Sequence, residues 1–171
     1  MLRRFRHSTR AAVVMLTAAS CAAAAQTNTA QPAPAAPTAQ ASVRAFQAAR
    51  FAGMHMAATL LYRGIKPAAA NGADVREFQH EAEGLAYWAG AIPGLFPASS
   101  LGGDSRARPE IDSHRDDFLQ KARDLRLAAT RLAELAEAGD RAGFAAQAPV
   151  VEAACNACHS AYRAPRAPNG Q

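Results

Sequence analysis

The chain has 171 residues, with 19 Lys+Arg against 14 Asp+Glu and a formal net charge of +5. That length allows one domain once a leader is removed. Four of the basic residues fall within the first 25, and without them the balance is only +1, which argues against a nucleic-acid binder built on a concentrated basic face.

Met1 to Ala25 reads as a secretory signal: Arg3, Arg4, Arg6 and Arg10 precede an apolar stretch that is too short to favour a spanning helix, and Ala23-Ala24-Ala25 offers a small-residue cleavage site. Arg3-Arg4 is followed at once by Phe5, a poor twin-arginine pattern, so export of an unfolded chain to the periplasm is expected. Cys21 carries two readings. It is discarded with the signal, or Ala18-Ala19-Ser20-Cys21 serves as a lipoprotein box (with Ala where Leu is usual) and tethers the protein to a membrane facing the periplasm. Gln26 to Ala41, with Pro32, Pro34 and Pro37, reads as an extended linker, 42–165 as the domain and 166–171 as a tail.

Helical periodicity fills the domain, and no alternating strand pattern is present. Helix one is expected over Ser42 to Lys66, stopped by Pro67 and Asn71-Gly72, with Phe46, Ala49, Gly53, Met56 and Leu60 as its inner face. Helix two starts from Asp74 as N-cap with Glu77 three residues on, and Val75, Phe78, Ala82, Leu85, Ala89 and Ile92 form its seam. Trp88 and Tyr87, near its end, are assigned to core or rim packing. A Gly-rich connection from Ser99 to Arg108 leads to Pro109 at the first position of helix three, where Glu110, Asp112, Asp116 and Asp117 suit the positive end of the dipole. Ile111, Phe118, Leu125 and Leu132 recur every seven residues, with Ala122, Ala129 and Ala136 between them. Gly139 closes this helix, Asp140 caps helix four, and Pro149 should bend or restart it. The fold class is therefore all-α, an antiparallel four-helix bundle. Its seams are so rich in alanine that they would fill a core poorly without a cofactor.

Helix four carries Cys155-Asn156-Ala157-Cys158-His159. Two thiols at this spacing can add to the two vinyl groups of one haem c, and the adjacent imidazole can ligate the iron. On a helix Cys155, Cys158 and His159 share one face. A zinc site would need a fourth ligand, and a thioredoxin-like centre a βαβ context, neither of which is evident. Ser160 to Gln171 hold no Met and no His, so a second axial ligand must come from upstream. No acid–base pair, nucleophile or phosphate loop suggests substrate turnover, and an enzyme is not expected. His55, His80 and His114 are assigned to solvated positions.

The run from Cys155 to Arg163, CxxCHxxYR, resembles the C-terminal signature of the cytochrome c′ family. Leu95-Phe96-Pro97, Gly102-Gly103-Asp104 and Pro109-Glu110-Ile111 are similar to that family's connection between helices two and three. The resemblance, over about Ser42 to Arg163, implies a periplasmic haem bundle with His159 as proximal ligand, Arg163 near the haem and Arg50 on a propionate. It also implies periplasmic redox partner proteins and a homodimer through the first two helices.

High-spin members leave the sixth iron position open and bind small gases, whereas low-spin members fill it with a helix-one Met and carry electrons. At about 100° per residue, with Phe46 and Leu60 fixing the seam, Met56 lies about 60° from its centre, Met54 about 100° and His55 about 160°. Counting back from Asp74 without gaps also sets Met56 on the low-spin family's methionine. The expected function is a one-electron carrier with Met56 as sixth ligand, the alternative a five-coordinate haem protein binding NO or CO.

The covalent link predicts that denatured mature protein keeps a haem adduct through acid–acetone extraction and begins at or near Gln26. A mass spectrum without that adduct would overturn the haem reading, and an acylated Cys21 would replace the soluble reading with the tethered one.

Overall fold

The computed structural model describes residues 38–102 and 105–166. The leader with Cys21, the linker up to Pro37, Gly103-Asp104 and the tail beyond Arg166 lie outside the described residues.

Helix α1 (Ala39–Thr59) starts from Thr38, whose hydroxyl accepts the Ala41 N–H at 3.2 Å, three residues ahead of the expected start. It does not stop at Pro67. A π-helical turn, Leu60–Ile65, carries it into α2 (Lys66–Asn71), and Gly72 at φ +69° ends it. In that turn the Lys66 N–H reaches back five residues to the Leu61 carbonyl. A proline in a regular α-helix presses on the carbonyl four residues back and leaves it unbonded. The wider turn just before Pro67 is a physical reason why the helix can pass through it.

A 3₁₀ turn at Val75–Phe78, capped by the Asp74 carboxylate accepting the Arg76 N–H at 3.1 Å, opens helix two and runs into α3 (Gln79–Ala91). Two further 3₁₀ turns, Ile92–Leu95 and Ala98–Ser100, begin the long connection. Helix three has a short α4 (Glu110–Ser113), a break at His114 and then α5 (Arg115–Ala138). Gly139 at φ +69° reverses the chain, and the Asp140 carboxylate accepts the Gly143 N–H at 2.9 Å to start α6 (Arg141–Tyr162). Among the described residues there is no strand, only an isolated bridge between Ala107 and Arg163. No described helix is long and apolar enough to cross a membrane.

The seams of helices two and three hold as expected. Phe118, Leu125 and Leu132 with Ala122, Ala129 and Ala136 are buried against Ala82, Leu85, Ala89 and Ile92 on one side and Phe144, Ala148 and Val151 on the other. α3, α5 and α6 thus form a close-packed unit. α1 is held differently: it packs on α3 and the two 3₁₀ turns after it, while the π turn and α2 reach α6.

Two expectations are corrected. Helix one turns Ala49 and Met56 outward and leaves Phe46 and Leu60 only half-buried; its buried positions are Arg50, Gly53, Leu61, Ile65 and Ala68. An arginine holds the centre of the stripe, so a count of apolar residues alone is rotated off it. Measured from Arg50, Gly53, Ala57 and Leu61 at about 100° per residue, Met54 lies about 55° from the centre and Met56 about 105°. Pro149, in turn, does not interrupt helix four, since α6 is continuous through it. Pro149 and Ala145, the residue whose carbonyl loses its partner, are both exposed, so water can take the freed acceptor.

Removing that proline should therefore help. Pro149→Ala restores one backbone bond on an exposed face and is expected to stabilise the protein by about 1–3 kcal/mol, read as a raised Tm. A lowered Tm would show that the ring is needed where it stands.

Candidate haem-binding site

A cavity of about 590 Å³ lies between the helices and is lined from every bundle helix. α6 contributes Cys155, Cys158, His159 and Tyr162, and Arg163 follows at its end. α1 contributes Arg50, Met54 and Ala57, α3 Leu85 and Trp88, and α5 Phe118 and Leu125. A space of this size is within the range of sites that enclose an organic cofactor.

The α6 wall follows from helical spacing. Both cysteines are free thiols, half-buried among apolar side chains. Burial raises both, Cys158 to about 11, so each is held as the neutral thiol. His159 moves the other way: burial lowers its pKa, and the charges of Arg163 and Arg106 lower it further. Its ring stays neutral at pH 7, with a nitrogen lone pair open to a metal.

The end of α6 is fixed from two sides. Arg108 N–H donates to the Tyr162 carbonyl at 3.0 Å and Ala164 N–H to the Arg106 carbonyl at 2.8 Å, which brings Arg106 and Arg163 together at the cavity mouth. The Tyr162 hydroxyl donates to Asp117 on α5 at 2.5 Å, and its ring meets Phe118 edge-on at 5.5 Å. Burial, and then the bond to Asp117, push the Tyr162 phenol up to about 12, while the same bond holds Asp117 below the ordinary carboxylate value. One turn before Cys155, Lys66 donates to Glu152 at 2.6 Å, clamping the start of α2 to α6.

Arg50 tests whether a cofactor fits. It is 5% exposed, donates through Nη2 to the Ser100 carbonyl at 2.7 Å, and stands 4.6 Å over the Phe96 ring. Its Nη1 is buried without a partner among the described residues. A buried guanidinium nitrogen is completed by an acceptor, a water or an anionic group, and a propionate is an acceptor of that kind. Two thiols, a neutral imidazole and an unpaired buried cation around one apolar cavity fit a haem with its propionates.

Of the residues expected from the sequence, Cys155, Cys158, His159, Arg50 and Arg163 meet at this cavity. Met56 does not. It is 45% exposed and absent from the lining, and the methionine that faces the cavity is Met54. His55 is exposed at the rim, stacked on Phe51 with ring centroids 6.1 Å apart. Trp88, Tyr62, Arg106 and Phe96 also line the space, of which only Trp88 was given a place by the sequence, in core or rim packing.

Residues 46–163 match the family model described as cytochrome C′. The fold is similar to the nitric oxide complex of a leucine-to-alanine variant of cytochrome c prime from Alcaligenes xylosoxidans, with 28% identity, a TM-score of 0.65, and 72% of this chain and 96% of that one covered. It is similar to cytochrome c′ from Thermochromatium tepidum at 28% identity and TM-score 0.65, covering 72% and 97%. A third similar structure is a cytochrome c′ described as having an unusual ligand-controlled dimer dissociation, with 26% identity, TM-score 0.66, and 72% and 97% covered. No curated protein matches the chain.

The Tyr162–Asp117 bond gives a pH-dependent test. A carboxylate held below its ordinary value of 3.8 adds stability above that value and loses it as the pH falls through its lower folded pKa. Tyr162→Phe should therefore lower the Tm at pH 7, and the gap between variant and native should shrink below pH 3.8. A gap independent of pH would show that the hydroxyl does not act through Asp117.

Proposed function

The chain belongs to the cytochrome c′ family, and on that footing we propose that it is an exported haem protein that binds small gases at an open iron position, rather than one that turns over a substrate. Haem c, the covalently attached cofactor of this family, supplies when bound a redox-active iron that takes diatomic ligands. The chain's own residues would hold it as follows. Cys155 and Cys158 anchor it through their thiols, and His159 gives the proximal nitrogen. Arg50, with its unpaired Nη1, receives a propionate, and Arg163 and Arg106 set a positive field at the mouth.

One observation carries the gas-binding reading: the thioether expected as sixth ligand, Met56, points away from the cavity. The wall that α1, the π turn and α3 present is built instead from Met54, Ala57, Leu61, Leu85 and Trp88, all apolar side chains. The likeness to a protein described as a nitric oxide complex supports the same reading.

A second reading rests on Met54, which does line the cavity. Soft thioether ligation favours ferrous iron and suits a one-electron carrier working with periplasmic partners. A homodimer accords with either reading, because Phe51 and Met56 on α1 and Tyr87 on α3 expose large apolar side chains suited to a second copy. A tether through Cys21 is independent of both.

Absorption spectra of the ferric and ferrous protein, with and without CO, separate the two. Gas binding predicts a high-spin protein that takes up CO readily, and Met56→Leu should leave that unchanged. A low-spin native protein that turns high-spin on Met54→Leu would establish the carrier and sink the gas-binding reading.

A further inference from the structure

Resting on the gas-binding reading, we infer that Trp88, seated in the notch left by Gly53, sets the size of ligand that can enter the cavity from its α1 side. Gly53 stands in the middle of α1, where glycine costs about 1 kcal/mol relative to alanine. Unlike Gly72 and Gly139, it has no positive φ to explain it. What explains it is close approach. A Cβ at Gly53 would lie 2.1 Å from both Cη2 and Cζ3 of Trp88 and 2.7 Å from Cε3, distances real Cβ contacts do not show. The six-membered edge of the indole therefore rests on bare backbone, and only glycine admits it.

The consequence lies in where that ring is held. Trp88 is 9% exposed, comes from α3, and lines the cavity together with Met54, the neighbour of Gly53. Pinned between α1 and α3, the indole cannot swing out unless the two helices part. It is a rigid, two-torsion side chain. Ala57 and Ala58 on the next turn of α1 are small, and beside Met54, Leu61 and Leu85 the bulkiest side chain along this wall is the indole. A diatomic ligand is short enough to sit beside it, whereas a branched ligand must displace it. Packing alone would make Trp88 matter for stability but not for discrimination between ligands, and that difference is measurable.

The test uses the haem-loaded ferrous protein and two ligands, CO and tert-butyl isocyanide, with association rates read by stopped flow. In Trp88→Ala the isocyanide rate should rise at least about tenfold more than the CO rate. In Gly53→Ala the new methyl should force the ring toward the cavity and slow both ligands, and adding Trp88→Ala to it should restore them, a coupling that two independent sites would not show. A rate ratio in Trp88→Ala within about twofold of the native one overturns the inference. If Trp88→Ala does not fold, Gly53→Ala against Gly53→Ala/Trp88→Phe decides: slowing that the smaller ring relieves supports it, and rates equal to native overturn it. A native protein that takes up neither ligand defeats the gas-binding reading. Isocyanide uptake by Trp88→Ala would then still place the indole in the ligand's way, and no uptake by either protein overturns both.

Discussion

A buried guanidinium with an unfilled nitrogen sets the terms for this domain. Arg50 lies on the inner face of α1, 5% exposed, two of its nitrogens satisfied by the carbonyls of Phe46 and Ser100 and the third by nothing in the described chain. An ionised group at that depth is tolerable only when its hydrogen bonds are completed. An anionic group or a water in the cavity that Arg50 lines can supply the missing acceptor. Because Arg50 defines the stripe, it also decides which later residues of α1 face inward, and so Met54 meets the cavity and Gly53 meets Trp88 while Met56 meets water.

The same dependence shows in the packing. α3, α5 and α6 bury a continuous core of Phe, Leu and Ala. α1 has no such partner across the cavity; it leans on α3 through the Gly53–Trp88 contact and on the connection through Arg50. An apolar cofactor between α1 and α6 would supply the absent contacts, and anything that binds only the folded state stabilises it. The cofactor is thus a structural member of the bundle as well as its reactive centre.

How much of this was legible in the sequence divides along physical lines. Heptads in helices two and three were legible because apolar residues occupy their inner faces with little exception, as Phe118, Leu125 and Leu132 do. CxxCH was legible because its spacing alone puts three side chains on one helical face. Helix one was misjudged for two reasons. A charged residue in the core defeats a hydrophobic count, and the π turn lets a helix run past Pro67, where a regular one would end. Arg50 had already been singled out for a propionate through the family resemblance. Used as the anchor of the inner face, it would have turned Met54 inward. The proline in helix four was over-weighted because its cost depends on whether the orphaned carbonyl faces water, which the residue string does not record.

The reversal at Gly139 and Asp140 orders the loops of this chain by length. It brings α5 and α6 together over a few residues, whereas the Lys66–Glu152 clamp between α2 and α6 spans 86 positions. Closure entropy grows with loop length, by about 0.6 kcal/mol per doubling, and contacts between near neighbours form fastest. A chain that closes its loops from short to long docks α6 on α5 first and brings the π turn across last.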